Sequence, residues 1–388
     1  MSTVILEGVR TPYGKFKGKL SELSAKQLGS IVIKELLHRV PEAEKADGVI
    51  LAQVIQGGEG QNPARKAAID AGVSLSVPAI TLNNVCLAGL AAVADATRRI
   101  KLEEGEVYIV GGFDSMTNAP HAANLRRNIS LGKETFKDTL DDGLWCSLTD
   151  DSMGNLTDKR NLELNISRSE QDEYALLSQQ RAYEAVKKGH LQAEMVPVET
   201  KLELVKEDEG IRPHSTVEGL AKLKPVFLQN GTITAGNASQ MSDGASAGII
   251  ASEAYADKIG RRPLAKIIGF ADVAGPDTSL HDKPAQAIEK VLQKTNHRIE
   301  EIDLFEINEA FASVAIASCK QLAIPFEKVN VNGGAIAIGH PLGGTGFRLL
   351  LTLIHELKRR GGGKGIATLC GGGGQGTAVL IEVPKEWI

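Results

Sequence analysis

The stretch that decides the fold of this chain is Asn332-Gly-Gly-Ala-Ile-Ala-Ile-Gly-His-Pro-Leu-Gly-Gly-Thr-Gly346. A strand is predicted at residues 329–332 and a long apolar helix at residues 346–360, so the stretch is a loop between them. Pro341 favours an extended backbone at His340, and the glycines allow close approach to a ligand. A histidine held in this way can act as a base. A tight turn or a phosphate loop would have similar glycines, but the Gly-Lys-Ser/Thr pattern of nucleotide-hydrolysing enzymes is missing.

Two more predicted strands in this part of the chain end in chemically useful side chains. Cys370 ends an apolar strand and is followed by Gly371-Gly-Gly-Gly-Gln-Gly, and Asn308 follows the strand before it. Ligands of α/β proteins bind at the carboxyl ends of strands, so both residues are candidates for a site. The alternatives are a buried thiol at Cys370 and a helix N-cap at Asn308, for a helix predicted over residues 309–322.

A second candidate thiol, Cys86, lies where a strand predicted at residues 81–85 changes into a helix that continues to Lys101. The N-terminus of a helix carries unpaired N–H groups and the positive end of the helix dipole. Both would lower the pKa of the Cys86 thiol and favour its nucleophilic thiolate. The alternative is a buried, unreactive cysteine, which is the commoner state of this residue type.

The two ends of the chain share one order of predicted elements: a strand, a small-residue turn, a long apolar helix, and a strand that ends in glycines. The first set covers residues 81–112 and the second covers residues 329–374. This repetition predicts an α/β protein with a duplicated unit, although an ordinary series of strand–helix units would give much of the same pattern.

Between about residues 118 and 241 strand signals are few. One strong amphipathic helix is predicted to begin after Ser167, which lies three residues before Glu170 as in a capping box. This stretch is either a lid or substrate-binding domain or a surface elaboration. Two earlier helices are predicted, one over residues 24–39 and one that opens at Asn62 with Pro63 in its first position.

The composition is that of a soluble globular protein with more than one domain. Its 388 residues exceed the length at which a single hydrophobic core stops growing, and 42% of them are hydrophobic and 24% charged. A net charge of −4, scattered basic residues and only 4% aromatic residues argue against nucleic-acid binding. No run reaches the roughly 18 apolar residues of a membrane helix, so we expect no membrane insertion.

The four cysteines are Cys86, Cys146, Cys319 and Cys370. Their spacing matches no metal-binding pattern, and the chemistry considered below needs no metal or cofactor. The first residues do not resemble a secretory signal, so we expect free thiols in a reducing, cytoplasmic compartment.

Two thiols, a loop histidine and an asparagine, each beside a strand end, suit one chemistry. A thiolate forms a thioester with an acyl group, the histidine activates it, and a second thiol moves a proton at the carbon next to a carbonyl. Nearby hydrogen-bond donors would stabilise the oxyanions. These residues therefore predict acyl transfer through a cysteine thioester.

Five blocks of the sequence resemble thiolases, most closely the acetoacetyl-CoA group, in order and spacing over essentially the whole chain. The blocks are Arg10-Thr-Pro-Tyr-Gly-Lys-Phe16, Gly58-Glu-Gly-Gln-Asn-Pro-Ala-Arg65, Asn308-Glu-Ala-Phe311, the Asn332 stretch to Pro341, and Leu369-Cys-Gly-Gly-Gly-Gly-Gln-Gly376. The resemblance implies an α/β fold with two similar five-layered α/β/α/β/α halves and an inserted loop domain. The halves would be residues 1–117 with 242–262, and residues 263–388, and the loop domain, residues 118–241, would bind coenzyme A.

The resemblance also implies roles for individual residues. Cys86 would carry the acyl group, His340 would activate it, and Cys370 would exchange a proton with the second acyl-CoA. One oxyanion hole would use His340 and a water held by Asn308, and the other would use the N–H groups of Cys86 and Gly372. The coenzyme A channel would be lined by Leu144, Met153, Arg212, Ala235, Ser239, Ala310 and Phe311. Thiolases are dimers or tetramers, so we expect a homodimer or homotetramer.

Three departures from the thiolase pattern concern the acyl pocket. Ser152 stands where the acetoacetyl-CoA group commonly has a His, Leu87-Ala88 stands where Gly-Ser is usual, and the loop at residues 274–280 is short and lacks its Met. We expect an acetyl-CoA C-acetyltransferase, which reversibly condenses two acetyl-CoA to acetoacetyl-CoA and CoA. The alternatives are a degradative 3-ketoacyl-CoA thiolase for longer chains, a decarboxylating condensing enzyme and an inactive coenzyme A-binding scaffold.

Overall fold

The computed structural model describes residues 2–126 and 135–388, in which strands alternate with helices. The strands of four or more residues are β1 (Thr3–Arg10), β2 (Gly48–Ala52), β3 (Ala79–Leu82), β4 (Val107–Ser115), β5 (Ser242–Ser252), β6 (Ala265–Ala274), β7 (Leu304–Ile307), β8 (Gly363–Gly371) and β9 (Gln375–Val383). The helices are α1 (Ala25–Arg39), α2 (Pro63–Ala71), α3 (Ala88–Lys101), α4 (Thr139–Gly143), α5 (Met153–Glu163), α6 (Arg168–Lys187), α7 (Val217–Ala221), α8 (Glu253–Lys258), α9 (Lys283–Thr295), α10 (Ala312–Leu322), α11 (Ala335–Ile338) and α12 (Leu342–Arg359). Over the described ranges, no helix combines the length and the apolar character needed to cross a membrane.

The long strands form one sheet in the order β7-β8-β9-β6-β1-β5-β4-β2-β3, and one arrangement occurs twice within it. In the first half β2 is parallel to β4, while β4, β5 and β1 are antiparallel neighbours. In the second half β7 is parallel to β8, while β8, β9 and β6 are antiparallel neighbours. The halves join where Val4 and Ile5 of β1 pair with β6. The predicted duplication of an α/β unit is confirmed.

The helices form three layers around the two halves of the sheet. α1 packs on β4 and β5 with α2 beside it, and α9 packs on β6, β8 and β9 with α10 beside it. α3 and α12 lie between the halves, because each contacts strands of both. α12 is buried along almost its whole length, as a helix enclosed on all sides must be. The result is a five-layered arrangement of helices and strands.

The two central helices approach each other closely near their N-termini, where glycines meet. A Cβ atom on Gly89 would lie 2.9 Å from the carbonyl oxygen of Gly343, and one on Gly346 would lie 2.5 Å from the backbone nitrogen of Leu90. Only glycine allows this approach without a shift of the backbone. Since the Cys86 turn precedes α3 and the His340 loop precedes α12, the crossing brings the two candidate segments into one region.

The local helix signals of the sequence are confirmed. Ser24 caps α1, and Ser167 and Glu170 form a reciprocal capping box at α6. Asn62 caps α2, with Pro63 in its first position. Each cap satisfies backbone N–H groups that have no partner inside the helix.

The predicted boundary around Cys86 is wrong by a few residues. β3 ends at Leu82 and α3 begins at Ala88, so Cys86 lies in a turn and not at the first helical position. Val85 causes the break, because its φ of 51° is left-handed and cannot continue a strand.

Two predictions in the C-terminal part are also wrong. Residues 329–332 make only one β-bridge, from Val329 to Phe305. The side chain of Asn330 replaces a neighbouring strand, because its Oδ1 accepts the N–H of Ile307 and its Nδ2 donates to the carbonyl oxygen of Ile307, both at 2.8 Å. α10 begins at Ala312 and not at residue 309, so Asn308 is not its N-cap.

The described part of residues 118–241 contributes no strand to the large sheet. Its strands have two residues each, and its longest helix is α6. α6 packs against α10 and α11, and α11 ends two residues before His340.

Candidate active site

Cys86 lies in a strained turn before α3. Val85 directly before it has a φ of 51°, which is costly for a β-branched residue, and the side chain of Asn83 accepts the N–H of Val85 at 2.9 Å. Burial raises the pKa of the Cys86 thiol to about 12, and the negative charge of Asp114 adds to the effect. The expectation of a lowered pKa is wrong, because loss of hydration outweighs the nearby helix N-terminus. At neutral pH Cys86 is a thiol that needs a base.

His340 is a neutral imidazole held at both nitrogens. Its Nδ1 lies 2.7 Å from Oγ1 of Thr345, and its Nε2 lies 3.3 Å from Nδ2 of Asn308. Burial, followed by the positive charge of Arg348, lowers the pKa of His340 to about 3. A neutral ring has a lone pair that can accept a proton from a thiol, although the lowered pKa makes this ring a weaker base than free imidazole.

Asn308 is fully buried directly after β7. Its backbone N–H donates to the carbonyl oxygen of Thr368 in β8 at 3.0 Å, which fixes it beside the end of that strand. Its Oδ1 is buried and has no hydrogen-bond partner among the described residues. A buried amide oxygen in this state can accept a hydrogen bond from a water or a ligand.

Cys370 lies near the end of β8 and packs with Met153, Ala310 and Phe311. Burial raises its pKa well above the usual value of a thiol, and a negative charge on Cys86 would raise it further. The two thiols are therefore electrostatic neighbours, and a thiolate at one disfavours a thiolate at the other.

A cavity of about 590 Å³ lies beside the two thiols, within the usual size range of ligand pockets. Val85 and Gly372 line it, and a Cβ atom on Gly372 would lie 3.5 Å from Cγ1 of Val85 and 3.7 Å from the sulfur of Met153. The other walls come from four segments of the chain and are formed by Val54, Ile55, Gln56, Gly57, Asn83, Thr139, Asp142, Gly143, Trp145, Cys146, Ser147, Leu148, Gly373 and Gln375.

Five of the seven residues expected along the coenzyme A channel form one connected group. The N–H of Met153 donates to the carbonyl oxygen of Leu144 at 3.1 Å, and the N–H of Ser239 donates to that of Ala310 at 3.0 Å. Met153, Ala310 and Phe311 belong to the cluster around Cys370. The other two, Arg212 and Ala235, are exposed and contact each other through a 3.4 Å hydrogen bond.

The departures from the thiolase pattern have specific structural settings. Ser152 is the N-cap of α5, and its hydroxyl accepts the N–H of Asn155 at 3.1 Å. Leu87 is only 1% exposed and packs in the central core, where a Cβ atom on Gly371 would lie 2.6 Å from its Cγ. Leu87 therefore packs in the core between the sheet halves and against Gly371, which directly follows Cys370.

The sequence did not predict a role for three residues of the site. Thr345 bonds the ring of His340, Asp114 accepts the N–H groups of Ile55 and Gly343, and Cys146 lines the cavity. Burial acts to raise the pKa of Cys146, but hydrogen bonds from the Thr149 side chain and backbone N–H groups lower it on balance. Cys146 was visible as an unassigned thiol, whereas no spacing rule points to the other two.

Comparison with known proteins gives the family. A model of the thiolase N-terminal domain matches residues 3–254, and a model of the thiolase C-terminal domain matches residues 261–383. The chain belongs to the thiolase family. A probable acetyl-CoA acetyltransferase of Mycobacterium tuberculosis is 46% identical over 98% of this thiolase and 99% of its own length. A probable acetyl-CoA acetyltransferase of Escherichia coli is 44% identical over 98% of both chains.

Solved structures confirm the thiolase fold of this chain. The acetyl-CoA acetyltransferase of Bacillus anthracis superimposes with a TM-score of 0.94 at 38% identity and covers 99% of both chains. Human mitochondrial 3-ketoacyl-CoA thiolase in complex with CoA superimposes with a TM-score of 0.95 at 38% identity and covers 99% of this chain and 98% of its own. The family, the fold and the acyltransferase class expected from the sequence are confirmed.

Proposed function

We propose that this thiolase is an acetyl-CoA C-acetyltransferase that forms acetoacetyl-CoA and CoA from two acetyl-CoA, and reverses this reaction. The observation that carries the proposal is the grouping of two thiols, Cys86 and Cys370, with the neutral His340 and the buried Asn308 beside one cavity. The acetyl-CoA acetyltransferase names of its relatives support the choice of acyl group.

In the first half-reaction, Cys86 attacks the thioester carbonyl of acetyl-CoA. Its high pKa means that the proton must leave as the carbon–sulfur bond forms, and the lone pair on a ring nitrogen of His340 can accept it. The coenzyme A sulfur leaves with the bonding electrons and takes this proton back from the imidazolium. The products are an acetyl thioester on Cys86 and free CoA.

In the second half-reaction, the Cys370 thiolate removes a proton from the methyl group of a second acetyl-CoA. The resulting carbanion attacks the acetyl carbon on Cys86, whose sulfur leaves as a thiolate and takes the proton that Cys370 has gained, which restores the Cys86 thiol and the Cys370 thiolate. Burial supports this role, since it makes the thiolate of Cys370 a strong base once formed. In the cleavage direction the same burial keeps Cys370 protonated, ready to protonate the departing carbanion.

Two groups of donors are proposed to stabilise the oxyanions. The unpartnered Oδ1 of Asn308 supports one of them, because it can hold a water next to Nε2 of His340. The water is the donor while the ring is neutral, and Nε2–H joins it once His340 has taken a proton. For the other we propose the N–H groups of Cys86 and Gly372, which is supported by the closeness of Gly372 to Val85.

Coenzyme A is proposed to bind along the loop domain at residues 118–241. The two halves of the fold are proposed to be residues 1–117 with 242–262, and residues 263–388. The connected group from Leu144 to Phe311 would contact the pantetheine arm, and Arg212 and Ala235 would lie at the exposed end of the ligand. A cytoplasmic homodimer or homotetramer remains our prediction for the native state, which light scattering of the purified protein would test.

The test is thiolysis of acetoacetyl-CoA with CoA as second substrate, which we expect to be rapid in the wild type and abolished in Cys86→Ala. A wild-type enzyme that does not cleave acetoacetyl-CoA would refute the proposal. A degradative 3-ketoacyl-CoA thiolase is the second candidate, because the fold superimposes on human mitochondrial 3-ketoacyl-CoA thiolase with a TM-score of 0.95. The ratio of kcat/KM for C4 to C16 substrates separates the two.

A further inference from the structure

We propose that Thr345 is a positioning residue that fixes the tautomer of His340, so that the lone pair of the neutral ring lies on Nε2. The inference rests on the proposed function, since it concerns the base that deprotonates Cys86. Thr345 is fully buried in the first turn of α12, and His340 is 5% exposed, so water does not compete freely at this contact.

The hydrogen bonds of the Thr345 hydroxyl determine the proton on the ring. Its Oγ1 lies 2.7 Å from Nδ1 of His340 and 2.7 Å from the carbonyl oxygen of Pro341. A hydroxyl has one hydrogen, and a carbonyl oxygen can only accept. Bonding of a helical threonine to the carbonyl four residues earlier is a common geometry. Thr345 therefore donates to Pro341 and accepts from an Nδ1–H of His340.

A neutral imidazole carries one hydrogen, so an Nδ1–H leaves Nε2 with the lone pair. Asn308 agrees with this tautomer, because its Nδ2 faces Nε2 at 3.3 Å and can donate to it. If the Asn308 amide were turned over, Oδ1 would face the ring and the Nδ2 donor would be the buried atom without a partner. Orphaned buried donors are rarer than under-satisfied acceptors, so this orientation is the favoured one.

The consequence for the reaction concerns which nitrogen can act. With Nδ1 occupied, Nε2 is the atom that can take the thiol proton, and after transfer the imidazolium still donates Nδ1–H to Thr345. Without the hydroxyl, Nδ1–H would be a buried donor with no partner, and the ring would shift towards the Nε2–H tautomer or turn. In that tautomer Nε2 has no lone pair for Cys86.

The matched variants are Thr345→Val, which keeps the shape and removes the hydroxyl, and Thr345→Ser, which keeps the hydroxyl. We expect Thr345→Val to slow single-turnover acetylation of Cys86 about 10- to 100-fold, the range for loss of one partner of a buried hydrogen bond. KM for acetoacetyl-CoA should change little, and Thr345→Ser should stay within a few-fold of the wild type. A Thr345→Val enzyme that acetylates at the wild-type rate would overturn the proposal.

Nitrogen-15 NMR of histidine-labelled protein gives a readout that does not depend on activity. The His340 signal, assigned by its loss in His340→Gln, should show Nδ1–H in the wild type and in Thr345→Ser, and Nε2–H or a mixture in Thr345→Val. An Nε2–H ring in the wild type would refute the inference even if the enzyme is an active thiolase. Conversely, a wild-type enzyme without thiolysis would refute the proposed function and leave the tautomer result standing.

Discussion

The crossing of α3 and α12 is a sensitive point of the site, and Gly346→Ala tests it directly. A Cβ atom at this position would lie 2.5 Å from the backbone nitrogen of Leu90 and 2.8 Å from the carbonyl carbon of Gly89. Ordinary contact begins at 3.4 Å, so the two helices must separate by about 0.9 Å. Neither neighbour is a side chain that can turn away, so the backbone has to move.

This shift acts on catalysis more than on stability. Overpacking in a core typically costs about 1–3 kcal/mol, which a thiolase of this size should tolerate. A misplacement of about 1 Å between reacting groups can cost about 100-fold in rate. Since Cys86 and His340 directly precede the two helices, we expect Gly346→Ala to fold and to lose about 100-fold in kcat for acetoacetyl-CoA thiolysis.

The assay pairs steady-state thiolysis with urea unfolding, and Gly219→Ala on α7 is the matched control. A Cβ atom there would meet only the side-chain oxygen of Thr216 at 3.2 Å, so activity should stay near the wild-type level. Turnover of Gly346→Ala within twofold of the wild type, at an unchanged unfolding midpoint, would show that the crossing does not set the catalytic geometry.

Four further predictions concern single side chains. In a Cys146→Ser variant, iodoacetamide should label Cys86, and acetyl-CoA should protect it. Cys146 is replaced because its thiol lines the cavity and has a lowered pKa, so it would also be labelled. Labelling of Cys86 that acetyl-CoA does not prevent would contradict its assignment as the nucleophile. Cys370→Ala should still acetylate Cys86 but lose exchange of the acetyl-CoA methyl protons with deuterated solvent, and exchange at the wild-type rate would exclude Cys370 as the base. The rate of Cys86 acetylation should stay constant from pH 8 to about 5, because the lowered pKa of His340 keeps its ring neutral throughout this range. A rate that falls below a midpoint near pH 6.5 would contradict this prediction. The wild type should accept acetoacetyl-CoA (C4) and tolerate the C6 3-ketoacyl-CoA. Ser152→His should sharpen the preference for the C4 substrate, whereas Ser152→Asn, which retains an N-cap, should not. Equal C4 to C6 ratios of kcat/KM in all three enzymes would show that position 152 does not select the acyl chain.

Much of the site was predictable from local sequence. Ser24, Asn62 and Ser167 fixed helix starts because a capping side chain acts on its own backbone, within a few residues. The placement of Asn308 and Cys370 beside strand ends followed from apolar runs that stop, and the order of the motif blocks indicated the family. These features depend on neighbours in the chain, so the sequence alone determined them.

Other features depend on residues that are distant in the chain, and only the tertiary structure decided them. The sequence placed Cys86 near a helix N-terminus and predicted a lowered pKa, but the surrounding protein leaves the thiol only partly exposed, and this burial raises the pKa. The same packing buries Leu87 in the core between the sheet halves. Asn330 breaks a predicted strand because its side-chain amide forms hydrogen bonds with the backbone of Ile307, 23 residues earlier in the chain. The contact of Asn308 with His340 joins two loops that lie 32 residues apart in the chain, and a hydrogen bond is decided by distance in space and not along the chain.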